Sequence, residues 1–172
     1  MKAIAVVGSR NSGKTTAIEA LTRELTRRGY RVATVKHVPE PNFTIDTKGK
    51  DTWRFTNSGA KTVVSVASNE IATIERIDGK SFSLKKILKK CEDNDIVFLE
   101  GFKEIVSKNR GIQKIVVVKS EKEAVEALKS FKPILAFTGP YFSEHLKLKI
   151  PYVNALKNPE KLADTIEKAI LV

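Results

Sequence analysis

The stretch Gly8-Ser9-Arg10-Asn11-Ser12-Gly13-Lys14-Thr15 fits the phosphate-loop pattern G-x-x-x-x-G-K-[ST] at every fixed position. The apolar residues 3–7 before it predict a short buried strand, and Ile18, Leu21 and Leu25 after it mark the apolar face of a helix. In this context, glycines let backbone N–H groups surround a polyphosphate, and the positive end of the helix dipole faces the same anion. The stretch therefore predicts a nucleoside triphosphate site.

Each residue type in this loop has an expected task. Lys14 is expected to reach the β- and γ-phosphates, and the Thr15 hydroxyl is expected to ligate Mg²⁺. Arg10 is a candidate for stabilising transition-state charge, either within its own chain or across a dimer. The predicted nucleotide-binding residues of the loop are Gly8, Arg10, Asn11, Ser12, Gly13, Lys14, Thr15 and Thr16.

The rest of the chain alternates strand and helix patterns. The 172 residues suit a single nucleotide-binding domain over residues 1–172. We expect an α/β fold of the three-layer P-loop NTPase type, with a mostly parallel, doubly wound sheet and an antiparallel β-hairpin excursion at residues 62–67 and 71–77. Further strands are predicted at residues 31–36, 96–99, 112–118, 134–137 and 151–154, and helices at 49–58, 83–91, 121–130 and 159–170. Glu24 and Arg27 are expected on the polar face of the first helix.

Glu100 follows the most apolar strand of the sequence, residues 96–99. Metal-dependent NTPases place a carboxylate at the end of a buried strand near the phosphate loop, where it holds Mg²⁺ directly or through water. Gly101 gives the backbone freedom to pass close to the γ-phosphate. Glu100 is therefore the candidate second acid, whereas Asp95, at the other end of the strand, is expected to be structural.

A second group of acidic and basic residues lies at positions 46–54. Asp46 or Asp51 could orient the Mg²⁺ shell or an attacking water, and the neighbouring basic residues could contact phosphate. A solvated loop with a helix cap at Asp51 or Thr47 explains the same pattern equally well.

The charge and the cysteine content of the chain limit which binding partners and which cellular compartment are expected. The net charge of +11 favours anionic partners, and Lys85, Lys86, Lys89 and Lys90 predict a cationic helix face that either docks an anion or is simply solvated. The single cysteine, Cys91, excludes an internal disulfide and is expected to pack in the interior. With no apolar run near the ~18 residues of a membrane helix and no visible signal segment, the sequence predicts a cytoplasmic protein.

Several segments, taken in order, resemble one family. They are the phosphate loop, Val35-Lys36-His37, Asp46 with Gly49-Lys50-Asp51, Ser58-Gly59-Ala60 and Leu99-Glu100-Gly101-Phe102-Lys103. Together they resemble the molybdopterin-guanine dinucleotide biosynthesis protein B family over essentially the whole chain.

This resemblance implies a GTP-binding accessory protein with weak Mg²⁺-dependent GTPase activity. It would act beside the enzyme that attaches GMP to molybdopterin, with molybdopterin itself as a candidate ligand, in assembly of the molybdenum or tungsten cofactor. It also implies a homodimer, for which the hairpin offers a place of self-pairing. By the same match Gly13, Lys14 and Thr15 would hold phosphates and Mg²⁺, and Asp51 and Glu100 would lie near the γ-phosphate and the metal.

The sequence departs from the family in one loop and lacks one motif. Family members often carry more histidines after the Lys36-His37 pair, so His37 is expected to be a loop or phosphate-proximal residue, and His145 a surface residue. No Asn-Lys-x-Asp segment for guanine recognition is present. Thr138-Gly139-Pro140, at the end of a late strand, is the expected resting place of the base, with Asn154 as a second reader.

Two other functions fit the same scaffold. A small-molecule kinase or ligase that uses ATP would need an acceptor site, and no arginine-rich lid is evident in the sequence. A nucleic-acid-associated NTPase would use the net positive charge, but no RNA-binding signature with interleaved aromatic residues accompanies it, so nucleic acid is not the favoured partner.

Overall fold

The computed structural model describes residues 1–77, 82–140 and 149–170, so that His145 lies outside the described residues. The chain divides into two compact units, residues 1–37 with 90–172 and residues 38–89, and each is described by itself. The single domain over residues 1–172 stays a prediction.

The helices and strands follow one another in the order that the sequence predicts, except that α4 is added and the strand expected at residues 151–154 is not formed. They are β1 (Lys2–Gly8), α1 (Lys14–Arg27), β2 (Val32–Lys36), α2 (Asp51–Asn57), β3 (Thr62–Val66), β4 (Ile71–Glu75), α3 (Leu84–Lys89), β5 (Ile96–Glu100), α4 (Lys103–Lys108), β6 (Gln113–Val117), α5 (Glu121–Ser130), β7 (Ile134–Thr138) and α6 (Pro159–Ile170). Among the described residues, no helix has the length and apolarity needed to cross a membrane.

The first unit is built on a five-stranded parallel sheet with the order β2-β5-β1-β6-β7. The phosphate loop therefore follows the central strand, and β5 lies inside the sheet, which explains why Ile96 to Leu99 are all apolar and fully buried. Together with the antiparallel β3–β4 pair, this confirms the predicted α/β fold, a mostly parallel sheet with a small antiparallel hairpin.

Helices α1 and α6 cover one face of this sheet. Leu21 and Leu25 of α1 and Leu162 and Ile166 of α6 are completely buried, in one cluster with Phe98 of β5. Burial of each such side chain contributes about 1.5–3 kcal/mol relative to exposure. This packing fixes the direction of α1 and therefore the position of the loop that precedes it.

Glu24, expected on the polar face of α1 opposite the apolar stripe, is instead buried. It is 8% exposed, and its carboxylate accepts hydrogen bonds from Arg27 at 2.8–2.9 Å and from Arg28 at 2.7 Å. Arg28 also bonds to Asp164 and Glu167 of α6. The prediction was wrong because Arg28 joins this face of α1 to α6, a helix that lies far away in the sequence.

Other differences concern short elements. Residues 151–154 form no strand but a single parallel bridge between Phe137 and Tyr152. Helix α3 ends at Lys89, so Cys91 follows it in a turn, where it is half-buried and burial raises the pKa of its thiol. Helix α4 was not predicted from the sequence.

The second unit consists of α2, the β3–β4 hairpin and α3. The hairpin is antiparallel, with Val66 paired to Ile71, and α2 packs against β3, where Val63 is buried. Val64, Val66 and Ile71 remain 55–71% exposed. Lys85, Lys86 and Lys89 are exposed on α3, as predicted.

We predict that Glu24→Gln lowers the free energy of unfolding at neutral pH and makes this free energy less sensitive to acidification. The arginines lower the pKa of Glu24 from 4.5 to about 2, so its stabilising contribution is full above about pH 4.5 and is lost as pH falls towards 2. Urea unfolding at pH 6 and pH 3 should show a lower midpoint for the variant at pH 6 and a smaller loss on acidification than in the parent. Glu126→Gln, which removes an exposed carboxylate of α5, is the control; equal acid sensitivity of the parent and Glu24→Gln would contradict the prediction.

Candidate functional site

The phosphate loop turns sharply between β1 and α1. A Cβ atom on Gly8 would lie 2.5 Å from the Val117 carbonyl oxygen of β6, so only glycine fits there. Gly13, directly before α1, has φ +94°, and Asn11 has φ +55°, conformations that glycine and asparagine tolerate best. The fixed glycines of the pattern are thus required by the turn itself.

The side chain of Lys14 folds back over this loop. Its Nζ donates a hydrogen bond to the Ser9 carbonyl at 2.7 Å. Burial lowers the pKa of Lys14, opposed by the nearby Glu100 carboxylate and reinforced by the charges of Lys36 and Lys119. Because three cations converge on the loop, an anion bound here would relieve their mutual repulsion.

Glu100 and Thr15 meet at the carboxyl ends of the strands. The Thr15 hydroxyl lies 3.1 Å from both carboxylate oxygens of Glu100, and Glu100 is paired in register with Val6 of β1 and Lys36 of β2. The side chain of Glu100 is 14% exposed. A hydroxyl and a carboxylate are the oxygen ligands that Mg²⁺ takes in proteins.

Two lysines, Lys36 and Lys119, belong to this site although neither of them was assigned a role in it from the sequence. Lys36 Nζ lies 3.5 Å from Glu100 Oε1, and Lys119 Nζ donates to the Arg10 carbonyl of the loop at 3.3 Å. Lys36 is the last residue of β2, and Lys119 follows the end of β6. Their position after apolar strand residues was the signal available, since carboxyl ends of parallel strands gather at one edge.

Gly101 allows a close approach between two strand ends. It has φ +86°, and a Cβ atom there would lie 3.3 Å from the His37 Cβ. The His37 N–H donates to the Glu100 carbonyl at 2.9 Å, and the His37 ring lies 5.2 Å from the ring of Phe102. His37 therefore packs beside Glu100, and the predicted approach of Gly101 to a γ-phosphate stays a prediction.

A cavity of about 230 Å³ lies beside the loop on the side of β7. The loop residues Asn11, Ser12, Gly13 and Thr16 and the predicted base-binding residues Thr138, Gly139, Pro140 and Asn154 are among those that line it.

Two polar side chains of this cavity, Thr138 and Asn154, are already engaged in hydrogen bonds. Thr138 Oγ1 accepts from the Ala155 N–H at 3.0 Å. Asn154 Oδ1 accepts from two backbone N–H groups, and its Nδ2 donates to the Gly139 carbonyl. Asn154 therefore shapes the cavity wall, and its carbonyl oxygen is committed to backbone donors. Ser12 Oγ, by contrast, is buried without a hydrogen-bond partner.

The acidic residues of positions 46–54 lie in the second unit. Asp51 is exposed in the first turn of α2, with Oδ1 3.4 Å from the Arg54 guanidinium. Asp46 accepts from the Thr47 N–H and the Thr52 hydroxyl, which orders the loop. The alternative of a side-chain cap was wrong, because the N-cap residue is Lys50 and no side chain caps the helix. A role of Asp51 at the metal stays a prediction.

Comparison with known proteins matches this chain to one family. The model of the family described as molybdopterin guanine dinucleotide synthesis protein B matches residues 3–139. The molybdopterin-guanine dinucleotide biosynthesis adapter protein of Haemophilus influenzae is 35% identical over 103 residues, 59% of this chain and 57% of that protein. A Methanocaldococcus jannaschii protein named for the same adapter role is 38% identical over 124 residues, 70% of this chain and 49% of its own length. The match thus spans about half the length of these two relatives.

A solved structure agrees over the whole fold. The crystal structure of a molybdopterin-guanine biosynthesis protein B is 30% identical, covers 99% of both chains and has a TM-score of 0.75. The family model covers well over half of the chain, and this structure covers nearly all of it. The chain therefore belongs to the molybdopterin guanine dinucleotide synthesis protein B family.

Proposed function

We propose that this protein binds GTP with Mg²⁺ at residues 8–16, hydrolyses it slowly, and serves as an adapter in molybdopterin guanine dinucleotide biosynthesis. The observation that carries the proposal is the contact between Thr15 and Glu100 beside Lys14 at one edge of the sheet. A hydroxyl, a carboxylate and an ammonium at the start of α1 are the groups that hold a metal-bound triphosphate.

The residues fit both the nucleotide and the metal. The backbone N–H groups after Gly8 and the start of α1 would surround the phosphates, and Ser9 Oγ and Ser12 Oγ, both buried and without partners, would donate to them. Thr15 and Glu100 would hold Mg²⁺, which neutralises charge on the β- and γ-phosphates when bound. Lys14 would bind the terminal phosphate, and the cavity at Thr138 would hold the base.

Slow turnover follows from the cations available in the loop. Fast phosphoryl transfer needs a cation that stabilises charge in the transition state, often an arginine. Arg10 is exposed, while its carbonyl is held by Lys119. Nothing fixes the Arg10 guanidinium over the loop within the described residues, so Lys14 would bear most of this task.

The adapter role rests on the family and on the names of the relatives. The partner would be the enzyme that attaches GMP to molybdopterin, in the cytoplasm. A homodimer would form through the hairpin, because Val64, Val66 and Ile71 expose an apolar strand surface that a second hairpin would cover.

Calorimetric titration with Mg²⁺ at fixed salt tests the nucleotide. We expect GTP to bind at least about tenfold more tightly than ATP, a difference of about 1.4 kcal/mol. Lys14→Ala should abolish binding of both triphosphates, because it removes the charge that the loop directs at the phosphates. Equal or tighter binding of ATP would favour a kinase or ligase, and unchanged binding by Lys14→Ala would exclude the loop as the site.

Glu100→Gln should raise the Mg²⁺ concentration needed for half-maximal hydrolysis by about tenfold or more, since a neutral amide is a weaker ligand for this cation than a carboxylate. Nucleotide affinity without Mg²⁺ should change little. Asp95→Asn, at the opposite end of the same strand, is the control and should leave the Mg²⁺ dependence intact. The role of Glu100 is refuted if its variant loses nucleotide affinity while keeping the parent's Mg²⁺ dependence.

The dimer is tested by light scattering after size-exclusion chromatography. The parent should have about twice the chain mass of 19.1 kDa, and Val66→Asp should run as a monomer because a buried unpaired carboxylate opposes association. Val125→Asp, at an exposed apolar residue of α5, should remain a dimer. A monomeric parent, or equal behaviour of the two variants, contradicts pairing through the hairpin.

A further inference from the structure

A second and larger cavity lies in the first unit, between α1 and the edge strand β2. Its volume is about 500 Å³, within the range of small-molecule sites. The lining residues are Thr15, Ile18, Glu19, Thr22, Arg23, Thr34, Val35, Lys36 and Glu100. We name this cavity the α1–β2 groove.

The groove exists because the apolar layer beneath α1 ends at the edge of the sheet. Ile4 of β1 and Phe98 of β5 are paired in register and fully buried. The next residue in that row is Thr34 of β2, which is exposed. A small hydroxyl residue in place of a large apolar one leaves space between the helix and the edge strand, and makes the space polar.

The groove is separate from the proposed nucleotide site. Thr15 lines the groove, whereas the next residue, Thr16, lines the cavity at Thr138, and the two cavities share no lining residue. A nucleotide with its phosphates on the loop and its base near Thr138 would leave the groove free. A molecule in the groove would still lie beside Thr15 and Glu100.

The lining carries two exposed cationic side chains that make few contacts. Lys36, 59% exposed, faces Glu100 at 3.5 Å but forms no hydrogen bond through its side chain within the described residues. Arg23 is exposed and makes no ion pair or hydrogen bond there either. Thr22 Oγ1 is buried without a partner, which is uncommon for a hydroxyl in a native structure.

These groups match one class of small molecule. Lys36 and Arg23 suit an anionic substituent, and the planar guanidinium also stacks on aromatic rings. The largely buried Ile18 forms part of an apolar wall, while the exposed Glu19 carboxylate suits ring N–H and amino groups. A 2-amino-4-oxo heterocycle with an acidic side group, such as a pterin carboxylate or phosphate, has all of these features.

We propose that the α1–β2 groove is a second ligand site, which binds an anionic pterin beside the metal end of the nucleotide site. The proposal deepens the proposed function and rests on it for the choice of a pterin, the part of the family's dinucleotide that is not the guanine nucleotide. If Glu100 holds Mg²⁺, Lys36 would need another anionic partner, and the acidic group of the pterin would be that partner.

The test uses pterin-6-carboxylate, a fluorescent anionic pterin, titrated with the full chain by fluorescence anisotropy. The titration is repeated with a saturating non-hydrolysable GTP analogue and Mg²⁺. We expect saturable binding that persists or tightens with the analogue present. Thr34→Trp, which fills the groove, and Arg23→Ala, which removes a cation, should each weaken pterin binding at least tenfold. Arg110→Ala removes an exposed arginine after α4 and should change it less than twofold.

The outcomes separate this site from the nucleotide site. Competition between pterin and the GTP analogue would place the pterin on the phosphate loop and overturn the proposal, as would the absence of saturable binding at millimolar protein. Equal effects of Arg23→Ala and Arg110→Ala on pterin binding would mean that the pterin is held by non-specific charge attraction, and would also overturn the proposal. If pterin binds in the groove but calorimetry finds no binding of GTP or its analogue, the groove stands and the proposed GTP function fails.

Discussion

The parallel register of the sheet is the constraint on which the site depends. Because β1, β2, β5 and β6 all run in one direction, their carboxyl ends lie at one edge. The phosphate loop leaves β1 there, and Glu100 leaves β5 one strand away, which brings its carboxylate within 3.1 Å of Thr15. Gly8 and Gly101 permit this edge to be crowded, since any side chain at either position would meet a neighbouring strand end. The proposed chemistry follows from strand order before any nucleotide is considered.

The same edge is electrostatically unbalanced in a way that favours polyanions. Lys14 lies near the Glu100 carboxylate and near the ammonium groups of Lys36 and Lys119, and besides its burial both of these lysines lower its pKa. In the chain alone, the ammonium of Lys14 is held by a backbone carbonyl of its own loop. A triphosphate would replace that neutral acceptor with an anionic oxygen, so that the donor and the acceptor would both be charged. Part of the net charge of +11 is therefore concentrated where an anion would bind.

The sequence was sufficient wherever local pattern determines structure. Strand β5 was predicted because four consecutive apolar residues suit a strand buried on both faces, and α5 and α6 have the predicted bounds. The sequence could not show which strands and side chains lie next to one another in the folded chain. The strand order is not written in the sequence, so the contacts of Lys36 and Lys119 with the site were missed. Asn154 was expected to read a base, but its amide is taken up by backbone groups that only a folded loop brings together.

Strand β2 shows how one small polar residue in a row of large apolar residues can create a possible binding site. A β2 strand with a large apolar residue at position 34 would continue the row of Ile4 and Phe98 and close the space under α1, at a gain of about 1.5–3 kcal/mol for a fully buried side chain. The chain has Thr34 instead and leaves Thr22 Oγ1 buried without a partner. Stability alone favours filling this space, so an open, polar groove at the end of a well-packed core is better explained by a ligand that fills it. The groove also opens at Thr15 and Glu100, so both side chains would lie beside both ligands.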